Sequence, residues 1–244
     1  MAERAPRILV ADDDESSRER ISSPLRRDGC EIVTAADGEE ALERFREGPV
    51  DLVVVALELP RMDGLECCRR LRAAGPVGII AVAGTPDEDL VVDALEAGAD
   101  DCVARPVAIR ELRGRVRALL RRSAMSGGQG GPEAGLLRDG DLRIDPLRRS
   151  VSVAGEPVEL TFAEFELLQA MASSPGRVWS REQLLGQLWG GSSYRDPRTV
   201  DVHVRNLRRK VEPDPGSPQY VQTVRGVGYR FREAQGPGPD RLAP

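Results

Sequence analysis

Two adjacent carboxylates and one arginine stand where parallel strands would end. Asp12 and Asp13 directly follow the apolar run Ile8–Ala11, and Arg105 follows a shorter apolar segment. If these strands share one sheet, the two carboxylates lie close together and need a counter-charge, or one must take up a proton. We expect the forked guanidinium of Arg105 to pair with Asp13, and with Asp12 if it reaches that far, so that no metal is required.

A second constellation lies on a segment with helical periodicity near the C-terminus. Four apolar residues recur at helical spacing and predict its buried stripe: Val200, Val204, Leu207 and Val211. A different face holds Val202, Arg205, Asn206 and Arg209. Arginine can bond guanine through two hydrogen bonds, and asparagine can do the same with adenine, in the major groove of DNA. The pattern therefore predicts a DNA-recognition helix.

Residues around this helix are suited to the DNA backbone. His203, the only histidine, lies among basic residues, which favours a phosphate contact over a pH sensor. Arg225 precedes a glycine in a predicted hairpin tip and suits the narrow minor groove or its phosphates. Thr199, Tyr229 and Trp189 could likewise contact the backbone, or could instead pack or cap. Arg198, Arg208 and Lys210 flank the polar face of the helix.

The elements that position the acidic pair alternate regularly through the first half of the chain. Apolar strand candidates lie at 8–11, 31–34, 52–55, 78–82 and 102–103, and helix candidates near 15–27, 38–47, 64–73, 87–96 and 108–122. Such alternation predicts a doubly wound α/β domain with a parallel sheet, over residues 1–122. Its working site should lie at the carboxyl ends of the strands. Those ends hold Asp12, Asp13, Ala56, Ala83 and Arg105.

The second half has a different pattern. Short strands are expected near 141–145, 150–153 and 157–160, then helices opened by capping boxes at Thr161–Glu164 and Ser180–Gln183. The recognition helix should span about 196–212, and a hairpin should join 220–224 to 229–231. This order predicts a winged helix-turn-helix domain over residues 136–232. A Gly- and Ser-rich flexible linker is predicted at 123–135, and a disordered tail at 233–244.

Composition limits the class of protein. The 244 residues are 40% hydrophobic and 31% charged, as in soluble globular proteins, and no apolar stretch is long enough to span a membrane. The four cysteines form no C-x-x-C pair, which disfavours zinc and disulfides and favours a reduced cytoplasmic setting. The net charge is −5, yet residues 180–232 carry 10 basic residues against 5 acidic ones. This asymmetry favours a nucleic-acid binder joined to an input module.

The chain resembles the OmpR/PhoB family of bacterial response regulators over nearly its whole length. The motifs that carry the resemblance are Ile8–Asp14, Leu59–Gly64, Ala97–Asp101, Arg198–Arg205 and Val224–Phe231. It implies a flavodoxin-like receiver followed by a DNA-binding effector that regulates transcription from promoter DNA, at direct repeats and with RNA polymerase as a partner.

The resemblance also implies roles for individual residues. The base edges would be contacted by Asp201, Val202, Arg205 and Asn206, the phosphates by Arg198, Thr199, His203, Arg208 and Tyr229, and the minor groove by Arg225. A homodimer would form through the fourth helix, fifth strand and fifth helix, using Glu96, Asp100, Asp101, Glu111, Arg115, Arg117 and Arg122. Glu96 with Arg117, and Asp101 with Arg115, would pair across the dimer. Alternatively, these charges simply solvate a monomer.

The receiver departs from the family where its chemistry lies. The phosphoacceptor aspartate is replaced by Ala56, the Thr or Ser of the fourth strand by Ala83, the lysine by Arg105 and the aromatic switch residue by Cys102. Alanine can neither attack a phosphoryl group nor bind Mg²⁺. Four departures together favour a natural degenerate receiver in a regulator that is not phosphorylated. They also argue against a bound cofactor and cast doubt on Mg²⁺ binding and on a cognate histidine kinase.

Other hypotheses remain at this point. The regulator acts constitutively, or through a small molecule or protein that binds the degenerate pocket. It is instead a conventional two-component regulator if Ala56 is an engineered change. Phosphate could be accepted elsewhere, at Asp14, Asp51 or Glu58. A receiver that catalyses phosphoryl chemistry without storing the group is a further class, but the missing side chains argue against an enzyme.

Overall fold

The computed structural model describes residues 4–85, 87–124, 136–189 and 198–233, which form two domains. The strands of the N-terminal domain are β1 (Arg7–Ala11), β2 (Glu31–Ala35), β3 (Leu52–Ala56), β4 (Gly78–Ala83) and β5 (Asp101–Ala104). Its helices are α1 (Glu15–Arg27), α2 (Gly38–Arg46), α3 (Gly64–Ala74), α4 (Glu88–Glu96) and α5 (Ile109–Ala124). The strands are parallel in the order β2-β1-β3-β4-β5. This order confirms the predicted doubly wound, flavodoxin-like fold.

Burial explains why the central strands are almost wholly apolar. Every residue of β3 and β4 is buried, because helices cover both faces of the parallel sheet. The helices begin at aspartates: Asp14, Asp37, Asp63 and Asp87 each accept a backbone N–H in the first turn of α1, α2, α3 and α4. Such caps stabilise a helix start. They fix where each chain segment turns away from the carboxyl edge of the sheet.

The C-terminal domain is a winged helix. Its first four strands form an antiparallel sheet: β6 (Leu137–Asp139), β7 (Leu142–Asp145), β8 (Ser150–Val153) and β9 (Glu156–Val158). Its helices are α6 (Phe162–Ala172), α7 (Arg181–Trp189) and α8 (Arg198–Val211). The wing is the hairpin of β11 (Val221–Val224) and β12 (Gly228–Phe231), and β12 also pairs with β10 (Trp179–Ser180). This architecture confirms the predicted fold of this half.

Both predicted capping boxes are present. The backbone N–H of Thr161 donates to Glu164 Oε2 at 2.8 Å, and the N–H of Glu164 donates back to Thr161 Oγ1 at 3.3 Å. Ser180 and Gln183 make the equivalent pair of bonds at 3.0 and 3.2 Å. Each box satisfies two backbone donors at the start of a helix, and so fixes where α6 and α7 begin.

The boundaries differ from the sequence expectations in a few places. The sequence analysis does not predict β6 and β10, because three and two residues are too short to show strand periodicity. Helix α5 continues through Ala124, two residues into the predicted linker. The rest of that linker, residues 190–197 between α7 and α8, and residues 234–244 of the predicted tail lie outside the described residues. Among the described helices, none is long and apolar enough to cross a membrane.

The two domains contact each other directly. Helix α8 lies against α4, and α7 lies against α5. Phe162, at the start of α6, packs on the core layer of the N-terminal domain that contains Leu112 and Val116. The carboxylate of Asp100 is fully buried, and its Oδ1 accepts the backbone N–H of Ala163 at 3.1 Å. The predicted recognition helix therefore belongs to an interdomain interface.

Candidate functional site

The degenerate pocket lies at the carboxyl ends of the parallel strands, as predicted. Arg105 Nη2 donates to Asp12 Oδ2 at 2.6 Å. Asp12 is 1% exposed, and the same Oδ2 also accepts from Ser17 Oγ at 2.7 Å. The expected reach of Arg105 to Asp12 is confirmed, but the expectation that Asp13 is its main partner is wrong: Asp13 is exposed, and the ion pair of Arg105 is with Asp12. The buried carboxylate takes the guanidinium because burial leaves it most in need of a counter-charge.

The donors present at this edge do not fit Mg²⁺. Ala56 supplies no carboxylate, and Asp12 Oδ2 is already engaged by Arg105 and Ser17. Among the described residues, no group of three His, Cys, Asp or Glu side chains is arranged to hold a metal ion. Gly64 lies so close to the end of β3 that a Cβ there would come within 2.1 Å of the Ala56 carbonyl oxygen. The loop around Ala56 is therefore tightly packed.

The alternative phosphoacceptors have structural contacts. Asp51 lies at the opposite end of β3, where it accepts the backbone N–H of Arg7 at 2.6 Å. Glu58 accepts the backbone N–H of Gly84 at 2.8 Å, and Asp14 caps α1 through Ser16. Each carboxylate holds a loop or a helix start, which favours a structural role for all three.

Three of the four cysteines have thiols that are protonated rather than reactive. Burial raises the pKa of Cys67 and of Cys102 to about 12, and raises the pKa of Cys68 further. A thiol with such a pKa stays protonated at neutral pH and is a poor nucleophile. Cys102, at the position of the family's aromatic switch residue, therefore contributes packing.

Helix α8 has the predicted buried stripe. Val200, Val204 and Leu207 are fully buried, and Val211 is 1% exposed. The predicted base-reading face lies against the N-terminal domain. Arg205 pairs with Glu96, and Asn206 Nδ2 lies 3.5 Å from the carbonyl oxygen of Leu95 on α4.

Two further residues of α8 are less exposed than the sequence analysis expects. Val202, assigned to the base edges, is 8% exposed because it faces the interface with the N-terminal domain. His203 is 1% exposed, so it cannot make the expected phosphate contact in this arrangement, and that contact stays a prediction. Its ring centroid lies 6.2 Å from that of Trp189, and it is hydrogen-bonded to the backbone of Asp100. Burial lowers the pKa of His203, and the nearby carboxylates of Glu164, Asp100 and Asp101 oppose that shift.

Several predicted DNA contacts brace α8 against the wing. Asp201 Oδ1 accepts from the Tyr229 hydroxyl and from Arg181 Nε, both at 2.7 Å. Burial, followed by the bond to Asp201, raises the pKa of Tyr229 to about 12. Arg208 donates to the carbonyl oxygen of Val221 at 2.6 and 2.9 Å. These contacts hold the helix and the hairpin in a fixed relation.

Residues at the two ends of the predicted DNA surface stay exposed. Arg225 lies at the exposed tip of the wing, where Gly226 has a φ of 75° that favours glycine. Arg198 at the start of α8 is exposed and pairs with Glu88 at 2.7 Å, and Thr199 is half-buried beside it. The roles of these residues toward DNA stay predictions.

The predicted dimer pairs are intramolecular in this structure. Arg115 pairs with Asp101 at 2.8 Å and with Glu111, and both Arg115 and Asp101 are buried within one chain. Arg117 pairs with Asp28 at 3.1 Å, rather than with Glu96 of another copy. The side chain of Arg122 lies outside the described part of the chain. Within one chain these charges therefore have partners already, and the expected cross-dimer pairs stay predictions.

Asp100 has a role that the sequence analysis misses. Its Oδ2 accepts from Arg72 Nη2 at 3.0 Å and from the backbone N–H of Ile79 at 2.8 Å, while its Oδ1 accepts from Ala163. A carboxylate at a helix N-terminus is favoured by the exposed N–H groups and by the helix dipole. Asp100 therefore joins the domains instead of lying at a dimer interface. A large hydrophobic residue at the first position of α6, Phe162, is a weak sequence signal for such docking.

Comparison with known proteins agrees with both halves of the fold. Residues 8–117 match the response regulator receiver domain, and residues 155–231 match the C-terminal domain of transcriptional regulatory proteins. The sensory transduction protein RegX3 of Mycolicibacterium smegmatis is 41% identical over 92% of this chain and 98% of its own length. The DNA-binding response regulator MtrA of the same organism is 45% identical over 92% of this chain and 96% of its own length.

A solved structure also resembles the whole chain. A cysteine-to-aspartate variant of RitR superposes with a TM-score of 0.74 at 26% identity, over 94% of this chain and 100% of its own. Since the receiver match covers less than half of the chain, such a score requires both domains to superpose together. The mutual placement of the two domains therefore recurs in that structure.

The ion pair in the degenerate pocket predicts a loss of stability when it is broken. Arg105→Met should lower the free energy of unfolding by about 3 kcal/mol, because it leaves Asp12 buried without its counter-charge. Urea denaturation measures this loss. Adding Asp12→Asn to Arg105→Met is the matched control and should recover part of it. Millimolar Mg²⁺ should leave the wild type unchanged; stabilisation by Mg²⁺ with a neutral Arg105→Met would contradict the pairing.

His203 predicts that the closed arrangement of the domains weakens in acid. Because burial depresses its pKa, the closed form holds His203 neutral, whereas the separated form takes up a proton below about pH 6.5. The stabilisation is present above that pH and is lost as the pH falls. The radius of gyration from small-angle scattering should rise between pH 7.5 and 5.5. His203→Gln should remove this step; an identical rise in the variant would exclude His203 as its source.

Proposed function

Because this chain is a DNA-binding transcriptional response regulator of the OmpR/PhoB type, we propose that it binds promoter DNA without aspartyl phosphorylation of its receiver. The single observation that carries the proposal is the Arg105–Asp12 ion pair beside Ala56. Phosphorylation of a receiver needs a carboxylate nucleophile and a divalent cation at this place. Here Ala56 has a methyl group in place of the nucleophile. The buried carboxylate of Asp12 is paired with the Arg105 guanidinium, which is always charged.

The departures from the family support one another chemically. An acyl phosphate would place negative charge at the end of β3. Ala83, which replaces the family's Thr or Ser, has no hydroxyl group to donate a hydrogen bond to that phosphate. Arg105 could in principle neutralise that charge, but it is held by Asp12 at 2.6 Å. A guanidinium stays charged at every physiological pH. The pocket is therefore fixed in one electrostatic state, independent of metal and phosphoryl donors.

DNA binding is assigned to α8 and the wing. Arg205 and Asn206 are proposed to bond base edges in the major groove, and Arg225 to enter the minor groove. Arg198, Thr199 and Arg208 are proposed to contact phosphates, which position the domain without selecting sequence. The proposed site is a direct repeat occupied by two copies of the chain, with RNA polymerase as the downstream partner.

Binding also requires the domains to separate. Arg205 and Asn206 contact α4, and Val202 is buried beside them. A helix face that contacts another domain cannot at the same time lie in the major groove. We therefore replace the constitutive form of the hypothesis with a masked one, in which an opening step precedes DNA binding. The same step would uncover the α4–β5–α5 face for the proposed homodimer.

The phosphorylation test separates this proposal from a conventional regulator. Incubation with Mg²⁺ and radiolabelled acetyl phosphate should leave the wild type unlabelled, because neither nucleophile nor metal ligands are complete. Ala56→Asp alone should remain poorly labelled, since Ala83 and Arg105 still differ from the family. Stable label on the wild type, mapped to Asp14, Asp51 or Glu58, or efficient labelling of Ala56→Asp with tighter DNA binding, would favour phosphorylation control.

The masked recognition helix predicts a gain of DNA affinity from a receiver substitution. DNA fragments are first selected from a genomic library with the untreated protein. Glu96→Arg should then bind the selected fragment about fivefold more tightly, because it turns an attractive contact with Arg205 into a repulsive one worth about 1 kcal/mol. Glu43→Arg makes the same charge change on α2, away from α8, and serves as the control. Equal gains in both variants would indicate a non-specific charge effect and contradict masking.

A further inference from the structure

A half-open cavity of about 560 Å³ lies at the interface between the domains. Its walls come from α4, from β5 and the loop after it, from α5 and from the first turn of α8. Cavities of 300–1,000 Å³ are typical of small-molecule sites. We propose that this cavity binds an uncharged, mostly apolar small molecule with carbonyl or hydroxyl oxygens, and that the bound molecule holds the two domains together.

The walls set the apolar character of the ligand. Val91, Val92 and Leu95 of α4 face Val107 and Leu112 of the opposite wall, and Val202 of α8 completes the lining. An apolar molecule that leaves water for such a surface gains about 25 cal/mol for each Å² buried. The space is bounded by elements of one chain on both sides, which favours a small molecule over a helix or strand of a partner protein.

The Arg105 guanidinium favours a ligand with an oxygen acceptor. Arg105 lines the cavity, and its side chain is 26% exposed. Its Nη2 donates to Asp12, and in the described part of the chain its Nη1 has no hydrogen-bond partner. A charged N–H group at the cavity wall can donate to a ligand oxygen, and such charge-assisted hydrogen bonds are stronger than neutral ones.

The charges around the cavity favour a neutral ligand. Four carboxylates line it, from Asp87, Glu88, Asp101 and Glu111, with three guanidiniums, from Arg105, Arg115 and Arg198. Arg115 pairs with Asp101 and with Glu111, and Arg198 pairs with Glu88. A charged ligand of either sign would meet groups of its own sign and would have to break these pairs.

Because the cavity lies between the two domains, a ligand bound there would influence whether the domains separate. It would contact Thr199 and Val202 of α8 together with α4, β5 and α5, and these surfaces face each other only when the domains are closed. A molecule that binds one state better than another shifts the equilibrium toward that state. The ligand therefore opposes the opening step and weakens DNA binding; this consequence rests on the proposed function, whereas the binding itself does not.

The cavity is also connected to the degenerate pocket. Arg105 lines the cavity while its Nη2 holds Asp12 on the other side. An oxygen bonded to Arg105 Nη1 would fix the guanidinium in the orientation that serves Asp12. The substitution of the family's lysine by arginine thus supplies a donor to two neighbouring sites at once.

Nile red, an uncharged dye with a carbonyl oxygen, tests the site directly in the full-length protein. Its emission increases in apolar surroundings, and we expect saturable binding of one dye per chain. Ala108→Phe fills the cavity from an exposed position at the start of α5 and should weaken binding at least tenfold. Ala73→Phe, at an exposed position of α3, is the matched control and should leave binding unchanged. Absence of saturable binding, or equal binding to both variants, overturns the proposal.

Two further readouts test the chemistry and the effect. N-phenyl-1-naphthylamine, an apolar dye without an oxygen acceptor, should bind about tenfold more weakly; equal affinity overturns the role of the Arg105 donor. Saturating Nile red should weaken binding to the selected DNA fragment at least threefold in the wild type and leave Ala108→Phe unaffected. Dye binding without this effect overturns the regulatory coupling. Failure to select any fragment contradicts the proposed function instead, and leaves the dye result as evidence for the site.

Discussion

The placement of the two domains depends on the fully buried carboxylate of Asp100. One of its oxygens is held inside the receiver by Arg72 and by the backbone of Ile79, and the other accepts the first-turn N–H of Ala163 in α6. A buried carboxylate is stable only when its oxygens are bonded and its charge is balanced. Arg72 supplies the charge, and the helix N-terminus supplies the remaining donor. The receiver therefore completes a helix cap of the effector, which orients α6 and with it α8.

One surface of the receiver consequently serves two purposes that exclude each other. The α4–β5–α5 face contacts α8 in this structure, and it is the face that the family resemblance assigns to a homodimer. Arg115 satisfies Asp101 and Glu111 within the chain, so this face is electrostatically complete without a second copy. At the exposed edge of this face, the ion pair between Glu96 and Arg205 is the contact with α8 that a small change in free energy can break. In the proposed function, dimer formation and DNA binding thus depend on the same opening step.

The sequence predicts what is local and leaves open what depends on tertiary contacts. Apolar runs, Asp caps and the Thr161 box specify where elements begin, and the structure agrees within a few residues. The ion-pair partners of charged residues cannot be predicted in the same way. Arginine and carboxylate side chains are long and numerous, so the spacing of residues in the sequence does not determine which of them pair. Arg105 pairs with Asp12 rather than Asp13 because Asp12 is buried, and His203 is buried by a contact between the domains. Neither cause has a signal in the local sequence.

The proposed loss of phosphoacceptor chemistry changes where a signal can enter the molecule. In a receiver that stores phosphate, the charge at the end of β3 changes with the signal; here Ala56 is constant and Arg105 is constantly charged. A pocket that cannot change charge cannot by itself move α4 away from α8. The difference between the closed and open forms must then come from groups at the interface. The structure offers two, a buried histidine that titrates and a cavity that both domains line. The histidine responds only to protons, whereas the cavity can select a ligand by its size and shape. Of the two, the cavity alone can therefore distinguish one small molecule from another.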